Sequence, residues 1–223
     1  MYKHFVTCFC ASVVLGGAPS AYAAGSGSAG SAPSASPSAP TESRAAAEDP
    51  VAAAQRLYND GVKLVQKADK ISDDAKKADK GYVAALKKFE SAVERNPQQA
   101  EGWNYVGYCR RKTGDHGGAL GAYDEALRLK PGFPEALEYR GHAYLGLGRI
   151  ADSQRDYVDL FGRNRALAGQ LLAGMRVWSA TQRSGGNSDA KALDQLDAWI
   201  AEREKAAQQT AALSRAGSAA GWN

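Results

Sequence analysis

Residues 98–131 read QQAEGWNYVGYCRRKTGDHGGALGAYDEALRLKP. Small and apolar residues recur along this stretch at helical spacing, and Gly114-Asp115 supplies a turn between two helical halves. The same pattern stands on either side of it. Ala85, Phe89, Ala92 and Pro97 recur 34 positions later as Ala119, Tyr123, Ala126 and Pro131. Trp103, Gly107 and Gly114-Asp115 recur as Leu137, Gly141 and Gly148-Arg149, and Tyr123 returns once more as Tyr157. A fixed period of this length marks stacked supersecondary units, each unable to bury its apolar face alone.

Trp103-x-x-Val106-Gly107, then Ala119-x-x-x-Tyr123-x-x-Ala126-x-x-x-x-Pro131, resembles the tetratricopeptide repeat (TPR) family, whose period is about 34 residues. The resemblance implies an all-α fold: a helix-turn-helix solenoid of about three repeats with C-terminal capping helices. The array spans 50–165, with repeats at about 51–97, 98–131 and 132–165. Each matched residue has a physical reason. Gly107 and Gly141 stand where two helices would cross closely, and Ala119 and Ala126 are small to the same end. Trp103, Tyr123, Phe89 and Tyr157 are expected to fill the spaces between helices. Pro97 and Pro131 follow a helix that they prevent from continuing.

The pattern is uneven at both ends. The first repeat is split: its first helix is 51–66, with Leu57, Gly61 and Leu64 in place, and its second is 81–96. That register leaves roughly 12 residues beyond the usual repeat. They fall in the Lys/Asp-rich insertion 67–80 (Lys67–Lys80), read as a solvated helical extension with charges paired at i,i+4. The third repeat carries Arg140 at an apolar slot, Ser153 and Leu160 where alanine belongs, and Arg165 in place of proline. Leu167, Leu171, Leu172, Met175 and Trp178 then form the stripe of a helix that covers the open end of the stack. Gly185-Gly186-Asn187 breaks it, and Ala192, Leu193, Leu196, Trp199 and Ile200 mark a second capping helix. Residues 166–205 are thus capping helices, and 206–223 is expected to be a flexible tail.

The N-terminal region has another character. Residues 1–23 read as a cleaved secretory signal peptide: Lys3 and His4, an apolar run from Phe5 to Leu15, then Ala21-Tyr22-Ala23 as the cleavage site. Residues 24–49 are nearly all Ala, Gly, Ser and Pro, the composition of a flexible linker. Gly25, Gly27 and Gly30 imitate a dinucleotide fingerprint there, without the strand and helix that motif requires. A cleaved signal removes Cys8 and Cys10 and leaves Cys109 alone, so an internal disulfide is excluded from the mature chain. Cys109 takes a packed alanine position and reads as an inert small hydrophobe.

The whole chain has 223 residues, 28 basic and 24 acidic, a formal charge of +4 and a mean hydropathy of −0.43. That excess is too small for a nucleic-acid binder, and the chain is not an integral membrane protein. The motifs of a zinc site, a nucleophile elbow and a phosphate loop are missing. The expectation is therefore no catalytic residues, no cofactor and no metal.

The resemblance implies a concave groove lined by the first helix of each repeat. The matching positions are Tyr58 and Val62; Asn104, Tyr108, Arg111 and Lys112; and Glu138, Tyr139 and His142. Tyr58, Glu101 and Glu135 occupy the positions at which chaperone-tail-binding TPR domains carry lysines, so a carboxylate clamp is not expected. His142 would titrate near neutrality. The expected role is an exported scaffold or adaptor, periplasmic or secreted, that binds a protein or peptide partner in the bacterial cell envelope. The alternatives are an accessory or assembly subunit of an envelope enzyme or outer-membrane protein machinery, and a self-assembling homo-oligomer.

Overall fold

The computed structural model describes residues 49–71, 74–186 and 189–219, so the proposed signal, nearly all of the linker and the last four residues lie outside it. Every element among the described residues is an α-helix. In order they are α1 (Pro50–Asp69), α2 (Ala75–Arg95), α3 (Ala100–Lys112), α4 (His116–Leu129), α5 (Pro134–Gly146), α6 (Ile150–Arg163), α7 (Arg165–Gly185) and α8 (Ala190–Ala219). The fold is an all-α, TPR-type solenoid.

The helix ends follow from local chemistry. Asp49 caps α1 by accepting from the Val51 amide at 3.1 Å, with Pro50 in the first turn where its missing N–H costs nothing. Asp115 caps α4 by accepting from the Gly118 amide at 2.8 Å. Between the paired helices stand Gly114 (φ 87°) and Gly148 (φ 70°), left-handed positions that a side chain would strain. The third repeat lacks the proline that ends the others. There Asn164 both ends α6 and starts α7, its side chain accepting from the Leu167 amide at 3.1 Å.

Odd-numbered helices form one layer. α3 packs on α5 and α5 on α7, whereas no two even-numbered helices make comparable contact. The odd helices are therefore crowded on the inner side of the stack and the even ones splayed outside. The core lies between the layers in two main parts. One gathers Val65, Ala85, Phe89, Val93, Val106, Cys109 and Ala122 from α1 to α4. The other joins Leu137, Tyr157 and Leu160 to Leu171, Met175, Leu196 and Ile200 from the capping helices.

Close approach explains the glycines. A Cβ on Gly107 would lie 2.6 Å from the ring of Tyr123, and one on Gly61 would lie 2.7 Å from the ring of Phe89. The first pair is separated by 16 positions (107 to 123) and the second by 28 (61 to 89), so the insertion adds 12 residues within the first repeat. Gly141 departs from this rule. Its close neighbour is Leu171 of α7, at 2.6 Å, and not Tyr157 of its own repeat. The capping helix thus presses directly into the third repeat.

The structure differs from the sequence reading at several further points. The insertion lengthens both α1 and α2, but it is packed as well as solvated: Ala68, Ala78 and Tyr82 are buried together. Trp103 packs against the core on both sides of the junction, as expected, and in addition its half-buried indole N–H donates to the Pro97 carbonyl at 2.9 Å. Arg140 has its charge met by Asp156, at 3.0 and 2.6 Å, and by Asp124 at 2.7 Å. Arg140 and Asp156 occupy, one period on, the places of Val106 and Ala122, which pack together in the second repeat. An apolar pair has been exchanged for an ion pair as a unit. Finally, α8 continues to Ala219, well into the stretch read as a tail. Arg176 pairs with Glu204, and Arg183 with Asp194 (2.8 Å) and Asp197 (2.7 Å), to hold α8 on α7.

Candidate functional site

The inner layer carries a row of tyrosines. Tyr58 of α1 meets Tyr105 of α3 with ring centroids 5.6 Å apart. Tyr105 meets Tyr108 at 6.2 Å, and Tyr108 meets Tyr139 of α5 at 5.0 Å. These four rings are half-buried, so each keeps part of its surface toward solvent. Beneath them Phe89 stacks on Tyr105 at 4.8 Å, and the wholly buried Tyr123 supports Tyr139 at 6.3 Å. The even helices thus hold the row from behind.

One carboxylate fixes its N-terminal side. Asp69 Oδ1 accepts from the Tyr82 hydroxyl at 2.6 Å and from the Tyr108 hydroxyl at 2.9 Å. The insertion therefore supplies the residue that orients Tyr108. Burial is the main cause that pushes Tyr58 and Tyr139 up to about 12, aided by Tyr105 and Glu101 for the first and by Glu138 and Tyr105 for the second. Burial and the bond to Asp69 push Tyr108 well above the ordinary phenol range. The row is a set of neutral, amphipathic rings at physiological pH.

Two cations lie on these rings. The Arg111 guanidinium is 5.4 Å from the centroids of both Tyr108 and Tyr139. The Lys112 ammonium is 5.0 Å from Tyr82 and 6.0 Å from Tyr108. Neither takes part in an ion pair among the described residues, unlike Arg110, which pairs with Glu90 at 2.9 Å. A cation held over an aromatic face is positioned without being neutralised, and stays able to meet an anionic group.

The nine residues expected to line the groove do not share one environment. Tyr108, Arg111, Lys112 and Tyr139 come together as described, with Tyr58 at the far end of the row and Val62 half-buried on α1 near it. Asn104 and Glu138 occupy equivalent positions one period apart, and both are buried, at 4% and 5% exposure. Asn104 Oδ1 and Glu138 Oε2 have no hydrogen-bond partner. Glu138 Oε1 lies 2.8 Å from His142 Nε2, and the His142 ring fills the space beside Gly174 of α7. His142 is therefore a packed contact with the capping helix.

Tyr105, Tyr82 and Asp69 were not among the expected residues. Tyr105 precedes Tyr108 by three, a spacing that puts both on one helix face, so its membership was readable in principle. Asp69 had no such signal, because its partners lie on two other helices. Cys109 is fully buried, and burial raises its thiol to about 12. Among the described residues no group of three or more His, Cys, Asp or Glu is placed to hold a metal ion. No helix described is long and apolar enough to cross a membrane.

Residues 100–133 match the tetratricopeptide repeat family. Protein FlbA of Caulobacter vibrioides is 36% identical over 72 residues, 32% of this chain and 12% of that protein. A small glutamine-rich tetratricopeptide repeat-containing protein 2 of Mycosarcoma maydis is 26% identical over 137 residues, 59% of this chain and 39% of that protein. The chain thus spans well under half the length of these curated relatives. Among solved structures, the first TPR domain of the human RPAP3 protein aligns with a TM-score of 0.48 at 17% identity, covering 62% of this chain and 99% of that one.

Proposed function

We propose that this chain is a non-catalytic scaffold or adaptor that docks an extended segment of a protein partner along its inner face. The observation that carries this reading is the tyrosine row with two unneutralised cations. Tyrosine gives large contact area at low entropy cost, with a hydroxyl for orientation, and such rings dominate binding energy at interfaces. Arg111 and Lys112 add attraction for an acidic or hydrogen-bond-accepting group on the partner. The two unpartnered acceptors, on Asn104 and Glu138, repeat at the spacing of the array, and buried acceptors of that kind are costly unless something satisfies them.

The reading places the protein in the bacterial cell envelope, periplasmic or secreted, on the strength of the signal-like residues 1–23. In that setting it serves either as an independent adaptor or as an accessory subunit of an envelope enzyme or outer-membrane assembly machinery. Self-association is a second reading, favoured by one observation. Val177 of α7, 67% exposed, lines a groove with Phe161, Leu172 and Ala207, and Val158 of α6, 60% exposed, lines another with Ala151 and Trp199.

In-cell photocrosslinking tests the first reading. A reactive residue is placed in turn at Tyr108 and at the exposed Lys77 of the insertion. A discrete heterologous product from Tyr108 and none from Lys77 is the expected result. Products from Lys77 alone would move the site to the insertion, and a product at twice the monomer mass would favour self-association.

A further inference from the structure

We infer that the inner face takes a partner segment of mixed charge: a Lys or Arg at one end, an Asp or Glu about five residues away at the other, and an aromatic or apolar side chain between them. This rests on reading the inner face as a docking groove, and it states the chemistry of the occupant.

The inner face is electrically divided. On α3, Glu101, Tyr105, Tyr108 and Lys112 stand at i, i+4, i+7 and i+11, one stripe of the helix. The stripe opens with a carboxylate and ends with an ammonium, and two rings of the tyrosine row lie between them. One period on, α5 repeats its first part as Glu135 and Tyr139. Both glutamates face the row. After burial, the main cause, Glu101 helps to raise the proton affinity of Tyr58, and Glu135 helps to raise those of Tyr105 and Tyr139. The helix dipole favours these signs at these ends on any face of a helix. It does not require that both signs share the stripe of the tyrosines.

These charges are open to a ligand. Glu135 is exposed and outside any ion pair among the described residues. Glu101 meets Lys130 at 2.9 Å, in an exposed pair of the kind that contributes little and exchanges readily. At the other end Arg111 and Lys112 lie on the rings, outside any ion pair among the described residues. Asn104 Oδ1 and Glu138 Oε2, on the residues that precede Tyr105 and Tyr139, are buried acceptors without a partner. The first half of α3 and α5 thus offers acceptors, and the last turn of α3 offers donors.

Geometry sets the spacing. From Glu101 to Lys112 is eleven residues of α3, or about 16 Å at about 1.5 Å per residue. Five steps of extended chain at about 3.3 Å each cover the same span. A uniformly acidic segment would be opposed by Glu101 and Glu135, and a uniformly basic one by Arg111 and Lys112. The face therefore selects for a pair of opposite charges.

The test uses the full chain and three fluorescently labelled synthetic peptides, read by anisotropy at low salt. Each is a Ser/Gly chain with Phe between two charged positions five apart. The charged pair is Lys and Glu in the first, two Glu in the second and two Lys in the third. The Lys/Glu peptide is expected to bind about tenfold more tightly than either of the others. Glu101→Gln with Glu135→Gln should bring the Glu/Glu peptide level with it, and Arg111→Gln with Lys112→Gln should do the same for the Lys/Lys peptide. The comparison of peptides on the wild type does not depend on how any variant folds. Tightest binding by either like-charged peptide, or equal binding of all three, overturns the inference. If Tyr108→Ala still weakens that binding, the inner face stands as the docking site and this inference alone has failed. A preference that survives both pairs of substitutions places the charges elsewhere and overturns it as well. Binding of none of the peptides also overturns it, and the Tyr108 crosslink in cells then decides the docking reading by itself.

Discussion

Gly107→Ala and Gly121→Ala are the same chemical change with opposite expected signs. Both lie inside helices of the second repeat, and in both alanine raises helix propensity by about 1 kcal/mol. At Gly121 a new Cβ meets nothing within 4 Å. The propensity gain is therefore kept, and Gly121→Ala should stabilise the protein by about 0.5–1 kcal/mol. At Gly107 the new Cβ falls 2.6, 2.7 and 2.8 Å from three carbons of the Tyr123 ring. The optimum for two carbons is about 3.5–4.0 Å. Tyr123 has no exposed surface and is enclosed by Ala119 and Ala143, so the ring cannot swing away without moving a helix. Overpacking of that kind costs about 1–3 kcal/mol, and three simultaneous contacts put it at the upper end. After the propensity gain, Gly107→Ala should lose about 1–2 kcal/mol. The difference between the variants isolates the packing cost and should be about 2–3 kcal/mol. Urea unfolding followed by far-ultraviolet circular dichroism measures it; with a slope of about 2 kcal/mol/M the midpoints should differ by about 1–1.5 M. Equal midpoints at unchanged slope would refute the claim that helix crossing at Gly107 holds the repeat together.

Three further outcomes follow from the structure. Arg140→Val alone leaves Asp156 buried without its partner and should cost about 3–5 kcal/mol, whereas Arg140→Val with Asp156→Ala restores the apolar pair of the second repeat and should recover most of it; a double-mutant cycle showing no coupling would contradict the exchange. Burial, and secondarily Arg111, lowers the proton affinity of His116, which packs beside Gly146. The folded chain thus binds fewer protons than the unfolded one, so stability is full above about pH 6.5 and declines toward pH 5, a slope that His116→Asn should flatten in urea titrations at both pH values. Cys109 should resist iodoacetamide at pH 8 in the native protein and react at the rate of a free thiol once unfolded; rapid native alkylation would place it at the surface.

The repeat was legible because small residues recur at its period where helices approach closely, as at Gly107 against Tyr123 and Gly61 against Phe89. Gly107 and Tyr123 could each be found from the period alone. Arg140 looked like a flaw for the opposite reason: its justification is Asp156 on the next helix, and a position-by-position comparison does not see a coupled exchange. The same limit hid Asp69, whose two hydroxyl donors come from α2 and α3, and the true neighbour of Gly141, which is Leu171 on the cap. Tyr58, Tyr108, Arg111, Lys112 and Tyr139 stand at positions the family resemblance implies, whereas Tyr105 of the same row is absent from that set. The burial of Asn104 and Glu138 was not legible, because it depends on how tightly neighbouring inner helices approach. The length of α8 escaped as well, since its alanine-rich end has helix propensity but no apolar stripe to reveal it.

The central claim is that binding occurs on the tyrosine face. Its most direct test is the affinity of the crosslinked partner for purified chains altered on one face or the other. Arg111→Ala with Tyr139→Ala should weaken binding at least thirtyfold, the scale of losing one central aromatic anchor of about 2 kcal/mol. Val158→Ser with Val177→Ser on the α6–α7 surface should change it less than twofold. The opposite ranking would contradict the account and move the binding surface to the capping end.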